Sequence, residues 1–248
     1  MHQAKIRIIA GPNGSGKTTF IKKVRENNYF NIQNYINADD IQLELKNQGS
    51  FSLSIFPFQT NVIAFNEFVT HSGFRVKIEE NSKLAVLDLL EFKDNCIYLK
   101  TKENTTYFSA MIADFIRYNL LENFQSFTYE TVMSHPSKIE FLKKAKNKGY
   151  KIYLYFLCTE NPEINKLNVK NRVANGGHFV DDETIEKRFY KTLNNLFDAV
   201  KSAEVSYLLQ NNMIDFSSVC TIKNEEIINQ SPISPQWFTD YYLNKIKK

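Results

Sequence analysis

Short apolar runs and longer helical stripes alternate along this chain. Lys5 to Ala10 (KIRIIA) is a β-branched run ending at a glycine loop, the pattern of a first strand in a parallel sheet. Thr18 to Arg25 then follows helical spacing, with Phe20, Ile21 and Val24 on one side. Tyr35 to Asp39 reads as a second strand tip with Asp39 at its carboxyl end, and a helix is predicted over 40–46. The alternation resumes at a helix over 110–123, whose stripe is Met111, Ile112, Phe115, Ile116, Leu120 and Leu121. A buried strand over 126–130 ends in Glu130, and an amphipathic helix over 137–148 is stopped by Gly149. A strand over 151–158 (KIYLYFLC), a helix over 162–175 ended by Gly176-Gly177, and a long helix over 182–199 follow. Residues 207–209 and 219–222 supply one or two late strands. This order predicts a three-layer α/β fold with a mostly parallel sheet.

Residues 50–110 break the pattern. The runs 74–79 (FRVKIE), 84–92 and 96–100 (CIYLK) are separated by Asn-Ser-Lys and Lys-Asp-Asn turns. They predict an antiparallel β element inserted at about 70–105. Such an insertion either shapes an acceptor cleft or covers a sheet edge. At 248 residues the chain is expected to form one core with this elaboration.

The loop between the first strand and helix carries the sharpest chemical signal. Gly11-Pro12-Asn13-Gly14-Ser15-Gly16-Lys17-Thr18 fits G-x-x-x-x-G-K-[ST], with a strand before it and a helix after it. Glycines let backbone N–H groups turn inward around phosphate oxygens, and the helix N-terminus favours the negative charge. Lys17 is expected to reach the β- and γ-phosphates of ATP, and the Thr18 hydroxyl to ligate Mg²⁺. A guanine-specific [NT]-K-x-D motif and an LSGGQ-type signature are absent from the sequence, and the strand before Glu130 ends in one acid. These features favour a small-molecule kinase over a switch or a motor.

Other residues are candidates by position. Asp39, at a strand's carboxyl end, is placed to accept a proton from a substrate hydroxyl; its alternative is a helix N-cap. Glu130 could hold an acceptor or orient Mg²⁺, or make an ordinary turn contact. Arg172 and Arg188 flank the Gly176-Gly177 break, where guanidinium groups could close over a transferring phosphoryl group.

Composition narrows the partners. The net charge of +4, from 31 basic and 27 acidic residues, is too weak to argue for nucleic acid. No apolar run approaches the roughly 20 residues of a membrane helix. Cys96, Cys158 and Cys220 lack metal-ligand spacing and fit a reducing cytoplasm, with Cys158 on a buried strand. The first residues carry no secretory pattern.

Several blocks, taken in order, resemble the zeta-toxin-like family of P-loop kinases, in its smaller bacterial branch. They are Ala10 to Thr19 (AGPNGSGKTT), Asn37-Ala38-Asp39, and Glu130 to Ser134 (ETVMS). Gly149-Tyr150-Lys151 leading into Phe156-Leu157, and Arg172-Val173 with Gly176-Gly177-His178, Ile185 and Arg188, complete the match. The resemblance implies one P-loop kinase-like domain over 1–248 and a cytoplasmic phosphotransferase acting on a small hydroxyl acceptor. In the better-known toxin branch that acceptor is UDP-N-acetylglucosamine, and a small antitoxin restrains the enzyme. Residue by residue, it implies the loop through Thr19 for ATP, Thr18 for Mg²⁺, Asp39 as base, Glu130 and Ser134 for the acceptor, and Arg172 and Arg188 for the transition state. A regulatory ATPase without a small acceptor is the alternative.

Overall fold

The computed structural model describes residues 3–103, 105–174, 176–177 and 179–247. The chain forms two compact units, one built from Met1–Gln33 and Thr128–Lys248, the other from Asn34–Phe127.

The first unit opens with β1 (Lys5–Ala10), in which Ile6, Ile8, Ile9 and Ala10 are fully buried. After the glycine loop, α1 (Lys17–Asn27) buries Phe20, Ile21 and Val24, the stripe its spacing predicts. It ends at Asn28 in a left-handed conformation, whose N–H donates to the Val24 carbonyl.

The second unit begins with β2 (Tyr35–Ile36) and α2 (Ala38–Gln48). Then come β3 (Ser50–Ser52), α3 (Val62–His71), α4 (Arg75–Ser82), β4 (Leu90–Lys93), β5 (Cys96–Leu99) and α5 (Thr105–Glu122). The antiparallel element exists, in the order β3-β5-β4. Its third strand comes from 50–52, because residues 75–82 fold as helix α4 and not as the strand expected over 74–79. Phe74, Val76 and Ile78 alternate as a strand would, yet only Ile78 is buried and Val76 is 57% exposed. Arg75 pairs with Glu79 one helical turn on at 3.2 Å, and Glu79 also accepts the Val86 N–H at 3.1 Å. The β4–β5 turn is the tight one the Lys-Asp-Asn pattern suggests: Lys93 pairs with Cys96 across Asp94 and Asn95, both at positive φ. Phe65, packed on Phe92 and Phe115, anchors the interior of this unit.

Next come β6 (Phe127–Thr131), α6 (Ser137–Asn147), β7 (Lys151–Cys158) and α7 (Pro162–Ala174). They are followed by α8 (Asp182–Asn194), α9 (Leu196–Ser202), β8 (Val205–Asn211), β9 (Phe216–Lys223) and β10 (Glu226–Gln230). The helix expected over 182–199 is two helices, joined at Asn195. In the first unit the strands lie in the order β10-β9-β8-β7-β1-β6. β1 and β7 pair in parallel from Lys5↔Lys151 to Ala10↔Phe156, and β7 and β8 from Tyr153↔Val205 to Cys158↔Gln210. The late strands β9 and β10 add antiparallel at the edge. Every residue of β10 is exposed, so it has no apolar face to reveal it in the sequence.

β7 shows how two faces are coded at period two. Tyr153 and Tyr155 point to one side, where Tyr155 stacks on Phe30 and Tyr207 and meets Phe20 of α1. Ile152, Leu154 and Phe156 are buried on the other, where Phe156 packs on Trp237. Cys158 ends the strand fully buried, as expected, and desolvation raises its thiol pKa. With β1 between β7 and β6, the loop after Ala10 emerges at the strands' carboxyl ends, where open α/β sheets hold ligands.

Candidate phosphate-binding site

The loop over 11–16 is shaped by contacts that leave its glycines no substitute. A Cβ on Gly11 would lie 2.1 Å from the Leu157 carbonyl oxygen, and one on Gly14 would lie 2.4 Å from the Asn165 carbonyl oxygen. Both obstacles are backbone, which cannot swing aside, and both glycines have positive φ. Gly11→Ala is therefore expected to lose nucleotide binding and several °C of melting temperature, checked by calorimetry and thermal melts. The Gly11 N–H donates to the Thr131 carbonyl at 3.2 Å, tying the loop to β6.

Lys17, the first residue of α1, folds back over this loop. Its Nζ donates to the carbonyl oxygens of Gly11 at 2.8 Å and Pro12 at 2.9 Å. The ammonium is thereby held beside the loop. Ser15 is fully buried, and its hydroxyl has no hydrogen-bond partner. Thr18 and Thr19 are exposed at the helix start. The Thr18 hydroxyl donates to Glu130 Oε2 at 3.3 Å, so the two sequence candidates from α1 and β6 do meet. Ser134 sits in the turn after β6. That turn is held by α8 and the residue that follows it: the Thr192 hydroxyl donates to the Val132 carbonyl at 2.7 Å, and the Asn195 amide to that of Met133 at 2.9 Å.

The two arginines arrive on α7 and α8. These helices share a small core of Val169, Val180 and Ile185. Lys166 bridges them, donating to Glu163 and to Glu186 at 2.7 Å each, and those bonds hold its pKa above the usual lysine range. Asp181 caps α8 by accepting the Thr184 N–H at 2.8 Å, which lowers its own pKa. Arg188 Nη1 lies 3.4 Å from Asn13 Oδ1, so α8 brings this arginine to the loop. The Gly177 N–H donates to the Arg172 carbonyl at 2.9 Å, closing the end of α7. His178 lies outside the described residues.

Asp39 belongs to the second unit. It is exposed and is the second residue of α2, beyond the end of β2 at Ile36 and not at the strand's carboxyl end where it was expected. The helix cap is Asn37, whose Oδ1 accepts the Asp39 N–H at 2.9 Å. The cap alternative for Asp39 is thus removed, because a neighbour already fills that role.

Sequence reasoning overlooked three asparagines. The amide nitrogens of Asn165 and Asn168 on α7 donate to the carbonyl oxygens of Asn13 and Gly14, the latter at 2.9 Å. Asn211, at the end of β8, donates to that of Ser15 at 3.0 Å. A faint signal was present: asparagine is a poor helix former, yet α7 carries it at 165, 168 and 171.

Among the described residues no cluster of three or more His, Cys, Asp or Glu could hold a metal ion, and no helix is long and apolar enough to cross a membrane. The fold is similar to AvrRxo1-ORF1 solved in complex with AvrRxo1-ORF2, with 13% identity over 96% of this chain and a TM-score of 0.56. The same complex has also been solved with ATP. This chain spans 66% of the length of that structure, and at this identity the likeness concerns the fold alone. A structure from the PezAT chromosomal toxin–antitoxin system of Streptococcus pneumoniae aligns with 89% of this chain and 72% of its own, at 16% identity and a TM-score of 0.49. An uncharacterized protein of Haemophilus influenzae is 33% identical over 63 residues, which are 25% of this chain and 45% of that protein. Residues 91–217 match the family model described as Zeta toxin. That segment is just over half of the chain and contains Glu130, Ser134, Arg172 and Arg188 in the order the resemblance requires. With a P-loop at the carboxyl end of β1 in an α/β fold of the matching kind, the chain belongs to the zeta toxin family.

Proposed function

We propose that this protein is an ATP-dependent phosphotransferase that moves the γ-phosphoryl group of ATP onto a hydroxyl of a small acceptor. The family points to an amino-sugar nucleotide such as UDP-N-acetylglucosamine as that acceptor. The observation that carries this reading is the loop itself, closed to any Cβ at Gly11 and Gly14 and bordered by Lys17 and Thr18.

Lys17 exchanges its two loop carbonyls for phosphate oxygens, trading neutral acceptors for charged ones. Thr18 supplies a hydroxyl, a hard oxygen donor that suits Mg²⁺, and by donating its proton to Glu130 it keeps its lone pairs for the ion. Mg²⁺, when bound, neutralises charge on the β- and γ-phosphates. Asp39 takes the proton from the acceptor hydroxyl as its oxygen forms the new bond to phosphorus. The bond from the γ-phosphorus to the bridging oxygen breaks, and ADP leaves with that electron pair. Glu130 and Ser134 hold the acceptor, and Arg172 and Arg188 face the charge spread over the transferring group. A small antitoxin protein is the partner this reading supplies, and the cytoplasm its compartment.

Incubation with γ-labelled ATP, Mg²⁺, UDP-N-acetylglucosamine and a panel of cell metabolites tests the proposal. A labelled acceptor is expected. Release of free phosphate alone, whatever acceptor is added, would establish the regulatory ATPase instead. Within the reaction, Arg172→Ala and Arg188→Ala are each expected to lower kcat by about 10²-fold while changing ATP affinity little, because stabilisation confined to the transition state appears in kcat. Steady-state kinetics beside thermal melts check this. Two variants that merely unfold would make these arginines structural.

A further inference from the structure

We infer that Asn165, Asn168 and Asn211 are positioning residues that hold the phosphate loop in its anion-receiving form, each by capturing one of three consecutive loop carbonyls. The inference rests on the phosphate-binding role proposed above. The captured carbonyls are those of Asn13, Gly14 and Ser15. In a trans peptide the carbonyl and the following N–H point in opposite directions. Fixing these three carbonyls therefore turns the N–H groups of Gly14, Ser15 and Gly16 the other way, toward the concave side of the loop. The Ser15 N–H does cross the loop, to the Pro12 carbonyl at 3.2 Å. A glycine-rich loop left to itself would sample many peptide orientations and would lose that freedom on binding phosphate. Three outside donors remove much of that loss in advance.

The donors are themselves oriented. Asn165 and Thr159 are both fully buried, and the Thr159 hydroxyl bonds Asn165 Oδ1, which turns the amide nitrogen toward the loop. Asn211 Oδ1 accepts the Met213 N–H at 2.9 Å, with the same result. A side-chain amide suits this task because it donates without charge; a lysine here would compete for the phosphate. Positions 165, 168 and 172 are spaced i, i+3 and i+7, so the two clamps and Arg172 share one face of α7. Through Lys166 and Glu186 the same helix is tied to α8, whose Arg188 approaches Asn13. One helix thus sets the loop and both arginines in register.

Asn168→Asp in the full chain is the test, because it replaces the donor by an acceptor of the same shape at a half-buried site. ATP affinity by titration calorimetry is expected to fall about 10-fold or more. Hydrogen exchange of residues 13–16 without nucleotide is expected to accelerate, with the melting temperature little changed. Asn168→Gln, which keeps the donor, should lie closer to the unmodified protein. Leu167→Asp puts the same charge on an exposed neighbour of the same helix and should change neither readout. Unchanged affinity and exchange in Asn168→Asp, or equal losses in Leu167→Asp, would overturn the inference. Should Asn168→Asp fail to fold, Asn211→Ala decides by the same two readouts. If the unmodified protein binds no ATP, the phosphotransfer reading fails, and the exchange measurement still decides the clamp.

Discussion

Lys17→Ala is expected to lower phosphoryl transfer by about 10³-fold, the upper range for removing one preorganised charge stabiliser. The fold should survive. The bonds of Lys17 to the carbonyls of Gly11 and Pro12 are lost at buried residues, but the Pro12 carbonyl keeps the Ser15 N–H, so the cost is about 1–3 kcal/mol and local to the loop. The core beneath α1, made by Phe20, Ile21 and Val24, is untouched. Two measurements check this: thermal melts that keep one cooperative transition, lowered by no more than several °C, and transfer assays that fall to background. Turnover like that of the parent protein would remove the P-loop from the mechanism.

Asp39→Asn is expected to reduce transfer by about 10²- to 10⁴-fold, the range for loss of a general base, while ATP binding stays close to normal. The substitution keeps the side chain's shape and removes its charge and its ability to take the proton. Stability should fall by about 0.3–1 kcal/mol, because an acid is lost from the first turn of α2. The cap itself is supplied by Asn37 and remains. Asp40→Asn is the control. It removes the same charge from the same helix turn, but its side chain points about 100° away around the axis, so it should be mild. Retention of transfer in Asp39→Asn, with its loss in Glu130→Gln, would exchange the two roles.

Much of the fold was legible because its signals are local. The β-branched run over 5–10, the glycine loop and the stripe of Phe20, Ile21 and Val24 lie within about twenty residues, and each is a property of neighbouring side chains. The alternation in β7 and the turn at Asp94-Asn95 could be read for the same reason. Helix α4 could not. FRVKIE alternates over six residues as a strand would, yet the segment folds as a helix in which Arg75 pairs with Glu79 and Ile78 is the buried residue. The break between α8 and α9 was hidden too, since apolar spacing runs on through Asn195, whose side-chain amide donates to the distant Met133 carbonyl.

The candidate site divides in the same way. By itself the sequence determined that a loop of this composition follows a strand and opens a helix, because a phosphate cradle needs glycines, a lysine and a hydroxyl in one contiguous stretch. It also named Glu130, Arg172 and Arg188 as candidates without saying which of them meet. Only the tertiary structure decided that Glu130 faces Thr18, that Arg188 approaches Asn13, and that three asparagines grip the loop from outside. The physical reason is separation along the chain. Asn165 and Asn13 stand 152 positions apart, and a hydrogen bond between them has no periodicity, turn or propensity to announce it until the sheet has brought α7 beside the loop.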